Sequence, residues 1–184
     1  MARIDPIPLE KMSPDQRRIN DEIAASRGGG PAKGPFALWL RTPELADLAN
    51  AFGSYLRHHT SVPQRLVELA VLIVARTYTA QYEWHAHAQY AEKVGLDPAV
   101  VEAIRTRREP SITREDEKIV HAVTTELIAE RKLDDATYAR AAEVLGEQTV
   151  LDLVTVVGFY TMVAIVLVAF DVDIPDGGAK PLPA

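Results

Sequence analysis

Two carboxylates and an imidazole sit where this chain would otherwise carry apolar or small residues. Glu68 interrupts LVELAVLIVA, Leu66 to Ala75, a run that is apolar all round without it. Glu83 and His87 lie four residues apart in TAQYEWHAHAQYA, Thr79 to Ala91. Residues at i and i+4 of a helix are neighbours, close enough to share a proton or a ligand. A buried charge is costly, so Glu68 must be paired, hydrogen-bonded or protonated. A carboxyl so held, beside an imidazole, suits general acid–base chemistry near neutral pH.

Each residue also has a plain structural reading. Glu68 can be an ion-pair partner of Arg65, Arg76 or a neighbouring subunit, and His87 a core histidine satisfied by Glu83. Taken together, two carboxylates and a histidine converging favour a functional site. Two Glu and one His are also a partial metal set. It lacks a second histidine unless His58, His59 or His121 joins from another helix or subunit, so no metal is expected.

The elements that must position these residues read as helices. At about 100° per residue, Glu83, His87, Tyr90 and Val94 share one stripe of their helix. Gln81, His85, Gln89 and Glu92 make a wet face, which removes His85 as a candidate, and Trp84, Ala88 and Ala91 make an apolar flank. The helix carrying Glu68 precedes this one across the short turn Arg76 to Thr79, so the two are antiparallel neighbours and Glu68 can face Glu83 and His87.

Start signals place the other helices. Ser13-Pro14-Asp15-Gln16 reads as a capping box opening a helix to about Ser26. Thr42-Pro43-Glu44 opens a helix to about His58, and Ser61-Val62-Pro63-Gln64 opens the Glu68 helix. Asp97-Pro98 caps a short helix, Thr113 to Asp116 caps one running to about Arg131, and Asp134 or Asp135 caps one closed by Gly146. RGGGPAKGP, Arg27 to Pro35, lacks the spacing of a phosphate-binding loop and reads as a connector. The expectation is an all-α bundle of about eight helices. An N-terminal helix and Gly-rich loop occupy 1–33, a helical domain 34–170, and an extended tail 171–184.

Composition fits one globular domain of 184 residues, with 47% apolar and 25% charged residues. A net charge of -6 gives no basic field for nucleic acid. There is no cysteine, which excludes disulfides, thiolate metal sites and a cysteine nucleophile. The N-terminus has no apolar signal core, so a cytoplasmic protein is expected. Leu153 to Phe170 is eighteen uncharged residues, long enough to span a bilayer. Asp152, Asp171 and Asp173 flank it and no Lys or Arg is close, so it reads as a helix buried on all sides by protein, in a bundle or an oligomer core.

GPFALWLRTPELA (Gly34 to Ala46), RLVELAVLIVARTYTAQYEWHAHAQYAEKVGL (Arg65 to Leu96) and LDLVTVVGFYTMVAIVLVAF together resemble the carboxymuconolactone decarboxylase-like superfamily, with its alkylhydroperoxidase D-like proteins. The YEWxxH branch matches in particular, and the resemblance covers most of the chain from Gly34. It implies an all-α fold and assembly as a homodimer, trimer or hexamer. The peroxidase branch uses a glutamate, a CxxC pair and a histidine. Glu68 and His87 match the first and last, and the cysteine positions fall on Ala80 and Glu83. Thiol–disulfide chemistry therefore has no nucleophile here.

The functional expectation is cofactor-free acid–base chemistry, a decarboxylation or related lyase reaction, on a small organic acid or lactone. Glu68 would be general acid or base, with His87 relaying or orienting. Glu83 would set the His87 tautomer or bind substrate. Arg76 would hold a substrate carboxylate or serve equally as a cation on the last carbonyls of its helix, and Tyr82 and Tyr160 would be pocket donors or, more simply, core packing. The alternative is a non-catalytic binding or assembly protein on the same fold.

Overall fold

A computed structural model describes residues 2–26 and 29–183, the side chains of residues 26 and 176 excepted; Arg27 and Gly28, the start of the expected connector, lie outside the described residues. Among the described residues nine α-helices follow in order: α1 Pro14–Ser26, α2 Pro35–Trp39, α3 Pro43–His58, α4 Gln64–Thr77, α5 Gln81–Lys93, α6 Pro98–Arg105, α7 Glu115–Glu130, α8 Asp135–Leu145 and α9 Glu147–Ala169. Short 3-10 turns stand at Leu9–Lys11 and Pro175–Gly177, and no strand occurs among the described residues.

Several helix starts rest on the residues expected to start them. The capping box at α1 is reciprocal: Gln16 N–H donates to Ser13 Oγ at 3.2 Å, and Ser13 N–H donates to Gln16 Oε1 at 2.9 Å. Asp97 accepts from Ala99 N–H at 2.8 Å and Asp134 from Thr137 N–H at 2.7 Å. Gly146, at φ 83°, ends α8 and begins α9 at a backbone angle that disfavours a side chain. At α7 the N-cap is Arg114 rather than Thr113, with no side-chain cap. The five-residue α2 was not expected, because one turn carries no periodic signal.

The core is organised around α4, which packs against α5, α6, α7 and α9. Every residue from Leu66 to Arg76 is buried. The helix buried on all sides is thus α4, not α9 as the uncharged run suggested. α9 buries Leu153, Val156, Tyr160, Val163 and Leu167 but exposes Leu151, Met162, Ile165 and Val168. By length and composition alone it could cross a membrane, yet 56% of its most apolar window is buried in the fold. Two polar ties lock α4 in place. Arg65 pairs with Asp116 at 2.6 Å and with the buried Glu117 of α7. Asp152 of α9 accepts from Ser61 N–H and Ser61 Oγ, each at 2.8 Å, just before α4 begins. Ile19 and Ile23 of α1 and Leu182 of the tail join the same buried cluster as α4.

Candidate active site

The turn between α4 and α5 is tight. Thr79 sits at φ 52°, and Ala80 N–H reaches back to Ala75 O at 2.8 Å. That turn folds α5 back along α4. Glu68 Oε2 then meets His87 Nδ1 at 2.7 Å, with the two side chains 1% and 19% exposed. Gln64 Nε2 donates to the other oxygen, Oε1, at 2.8 Å. Both carboxylate oxygens of Glu68 are therefore engaged by neighbours. An ionised Glu68 fixes the proton of neutral His87 on Nδ1 and leaves Nε2 with its lone pair. The His87 ring stands edge-on to Tyr160, centroids 5.2 Å apart. Arg65 is committed to α7, and Glu68 finds its partners elsewhere.

Glu83 differs from the expectation. Its side chain is buried, yet neither carboxylate oxygen has a hydrogen-bond partner among the described residues. It does not bond His87 and does not set its tautomer; Glu68 takes that place. Nor do the described residues contain a group of three carboxylates and imidazoles arranged to hold a metal ion. Burial pushes the Glu83 carboxyl well above the usual carboxylate range, which favours its protonated form.

A cleft of about 380 Å³ opens onto this arrangement. Its polar lining is His87, Glu83, Tyr82, Tyr160, Arg57 and Lys33, and its apolar lining includes Phe36, Phe159, Val163 and Leu167. Four expected residues thus share one cleft. Glu68 is not on its wall; it stands behind His87, whose Nδ1 it holds. Glu68 therefore adjoins the cleft only through His87.

Arg76 is absent from that lining. It is buried at the end of α4, where Nη1 donates to Thr79 Oγ1 at 3.0 Å. Burial, then the positive charges of Arg107 and Arg105, lower its pKa. The cations lining the cleft are Lys33 and Arg57, and Nη2 of Arg57 is buried without a partner. Sequence reasoning missed Arg57 because an arginine in a last helical turn reads as a cation complementing the helix dipole. Lys33 was passed over with the connector, which in fact forms cleft wall through Gly29 to Lys33. His58, His59, His85 and His121 do not line the cleft.

No family model matches the sequence, and no curated protein matches it. Solved structures do. The alkylhydroperoxidase AhpD core of an uncharacterized peroxidase-related protein from Ralstonia eutropha JMP134 aligns with TM-score 0.77 and 13% identity, over 100% of this chain and 98% of that one. An uncharacterized peroxidase-related protein from Silicibacter sp. TM1040 gives TM-score 0.75 and 14% identity over 93% and 90%. The debrominase Bmp8, in complex with 2,3,4-tribromopyrrole, gives TM-score 0.75 and 14% identity over 98% and 96%. At these identities the likeness shows the fold. The chain adopts the alkylhydroperoxidase D-like helical fold, as the resemblance implied.

Proposed function

We propose that this protein is an acid–base enzyme acting on a small organic acid, with decarboxylation or a related lyase reaction as its chemistry. One observation carries the reading. A single cleft is lined by a histidine held by a buried carboxylate, a buried carboxyl with no partner, and an arginine with a buried guanidinium nitrogen that has no partner. Unpartnered buried groups are costly to a fold unless something else uses them. Here two such groups, Glu83 and Arg57, belong to residues lining one cleft beside His87.

The roles follow from the chemistry. Arg57 binds the carboxylate of the acid, by the fork geometry of a guanidinium. His87 Nε2 accepts a proton, with Glu68 stabilising the imidazolium that forms. Glu83, neutral at working pH, donates. In a decarboxylation the C–C bond breaks and carbon dioxide leaves. The electron pair stays on the adjacent carbon, which takes its proton from Glu83; Glu83 regains the proton that His87 Nε2 accepts from water in the cleft, and the hydroxide left adds to the released carbon dioxide as bicarbonate. Tyr82 and Tyr160 shape the cleft and offer hydroxyls. The peroxidase-related names among the fold neighbours do not transfer, because Ala80 and Glu83 stand at the sulfur positions and the chain has no cysteine. That a debrominase of this fold holds 2,3,4-tribromopyrrole supports a small planar compound as a fitting guest.

The test is carbon dioxide release from a panel of small keto acids, unsaturated acids and lactone acids, comparing wild type with His87→Gln and Glu83→Gln. The reading expects at least one acid turned over by wild type and roughly 10²-fold more slowly by each variant. Turnover unchanged in both variants would refute it. Acids bound tightly but never turned over would leave the binding-protein alternative.

A further inference from the structure

We propose that the site has a second, apolar chamber beneath the N-terminal segment, so that its ligand is an amphiphilic acid: a carboxylate on an apolar body of several carbons. This rests on the cleft reading above and extends it.

A cavity of about 490 Å³ lies beside the cleft. Ile4, Ile7, Leu9 and Met12 line it from the N-terminal segment, with Leu38 and Leu40 opposite. The two cavities share Pro31, Ala32, Lys33 and Tyr82 as a common wall. That wall is thin. Gly34, at φ 59°, lies so close to Tyr82 that an added Cβ would stand 2.5 Å from its Cε1. One side chain and one stretch of loop therefore separate the chambers.

The covering segment is tied down by its polar groups. Arg3 N–H donates to Phe170 O at 2.9 Å and Arg3 Nη1 to Ala169 O at 3.1 Å. Arg41 Nη2 donates to Asp5 O at 2.8 Å, and Arg17 Nη2 to Leu9 O. These bonds hold the chain across the cavity without filling it. Its aliphatic side chains line open space, where they forfeit packing that an apolar guest would restore. Charge divides the chambers: Lys33 borders both and Arg57 the inner one, while Asp5 and Asp173 border only the outer one and disfavour a carboxylate head there. A carboxylate near these cations leaves its apolar body pointing to the outer chamber.

The experiment is calorimetric binding of straight-chain carboxylates, from butyrate to decanoate, to the full chain. In wild type, affinity is expected to rise roughly threefold to fourfold per methylene over several carbons. Leu9→Trp, which fills the outer chamber, and Ile4→Asp, which makes it polar, should flatten that gain while butyrate binds as before; melting curves confirm that both fold. Arg57→Met should weaken every member alike. A flat series in wild type, with short acids bound and lost in Arg57→Met, overturns the chamber and leaves the cleft reading standing. A length gain that survives both Leu9→Trp and Ile4→Asp also overturns it. Failure of every acid to bind defeats the cleft reading and this proposal with it.

Discussion

Glu83 is a carboxyl buried without a partner, and that has a stability signature. Its folded pKa is raised above the unfolded value. Above the unfolded pKa the native state thus holds a proton that the unfolded chain releases, so this group destabilises progressively as pH rises toward its folded pKa. Glu83→Gln should therefore melt higher than wild type at pH 8, with the difference shrinking toward pH 4, where both states are protonated. Thermal melts across that range check it; a variant less stable at pH 8 would mean that Glu83 is ionised and paired. His87→Ala should cost about 1–3 kcal/mol in urea unfolding, because it strips Glu68 Oε2 of its partner. Glu68→Gln keeps the shape but loses the charge behind Nδ1, so turnover should fall roughly 10²-fold with the fold intact. The pairing of Glu68 with His87 was legible because a lone glutamate in an all-apolar helix must find a partner. The isolation of Glu83 was not. Helical spacing places two side chains on one face, but does not say which partner an imidazole takes from the next helix.

Helix boundaries were legible wherever a cap has its own chemistry, as at Ser13, Asp97, Asp134 and Gly146. The ranking of helices by burial was not. α4 and α9 are both apolar, and only packing shows that α4 is enclosed while α9 keeps an open face. One tie links the two ends of this arrangement. Asp152 accepts from Ser61 N–H, Ser61 Oγ, Thr60 Oγ1 and Gln148 Nε2 at 2.8 to 3.1 Å. The Ser61 N–H bond, against the opposing effect of burial, holds its carboxyl below the usual range. A depressed folded pKa contributes stability that is present above the unfolded pKa and lost as pH falls through the folded one. Asp152→Ala should cost about 2 kcal/mol at pH 7 in urea unfolding and progressively less in acid. An equal cost at pH 7 and well below pH 3 would show that the carboxylate charge is irrelevant.

Over the whole molecule, the exposed apolar residues are ordered. On α3 they are Leu45, Leu48, Phe52 and Tyr55, spaced by three, four and three. On α9 they include Leu151, Met162 and Ile165, with exposed Gly158 between them and nothing near its would-be Cβ. α3 and α9 touch, and Phe52 of the first stripe stands edge-on to Phe159 of α9, ring centroids 5.3 Å apart. Heptad-like spacing on adjacent helices is what one helix pair presents to another, and we propose a second copy of this chain as its occupant. Light scattering should give a multiple of the 20.2 kDa chain mass. Leu48→Lys with Ile165→Lys should reduce it to one chain; a wild-type monomer would contradict the assembly. Sequence alone marked α9 for a core or an interface; that α3 carries a second exposed apolar stripe is seen only in the fold.

The proposed chemistry needs a protonated Glu83 beside a carboxylate-held His87 on one cleft. Infrared difference spectroscopy of wild type against Glu83→Gln at pH 7.5 tests it most directly. The account predicts a protonated carboxylic acid C=O band, present in wild type and missing in the variant. Carboxylate bands alone in that difference would show Glu83 ionised, and would remove the acid on which the proposed chemistry depends.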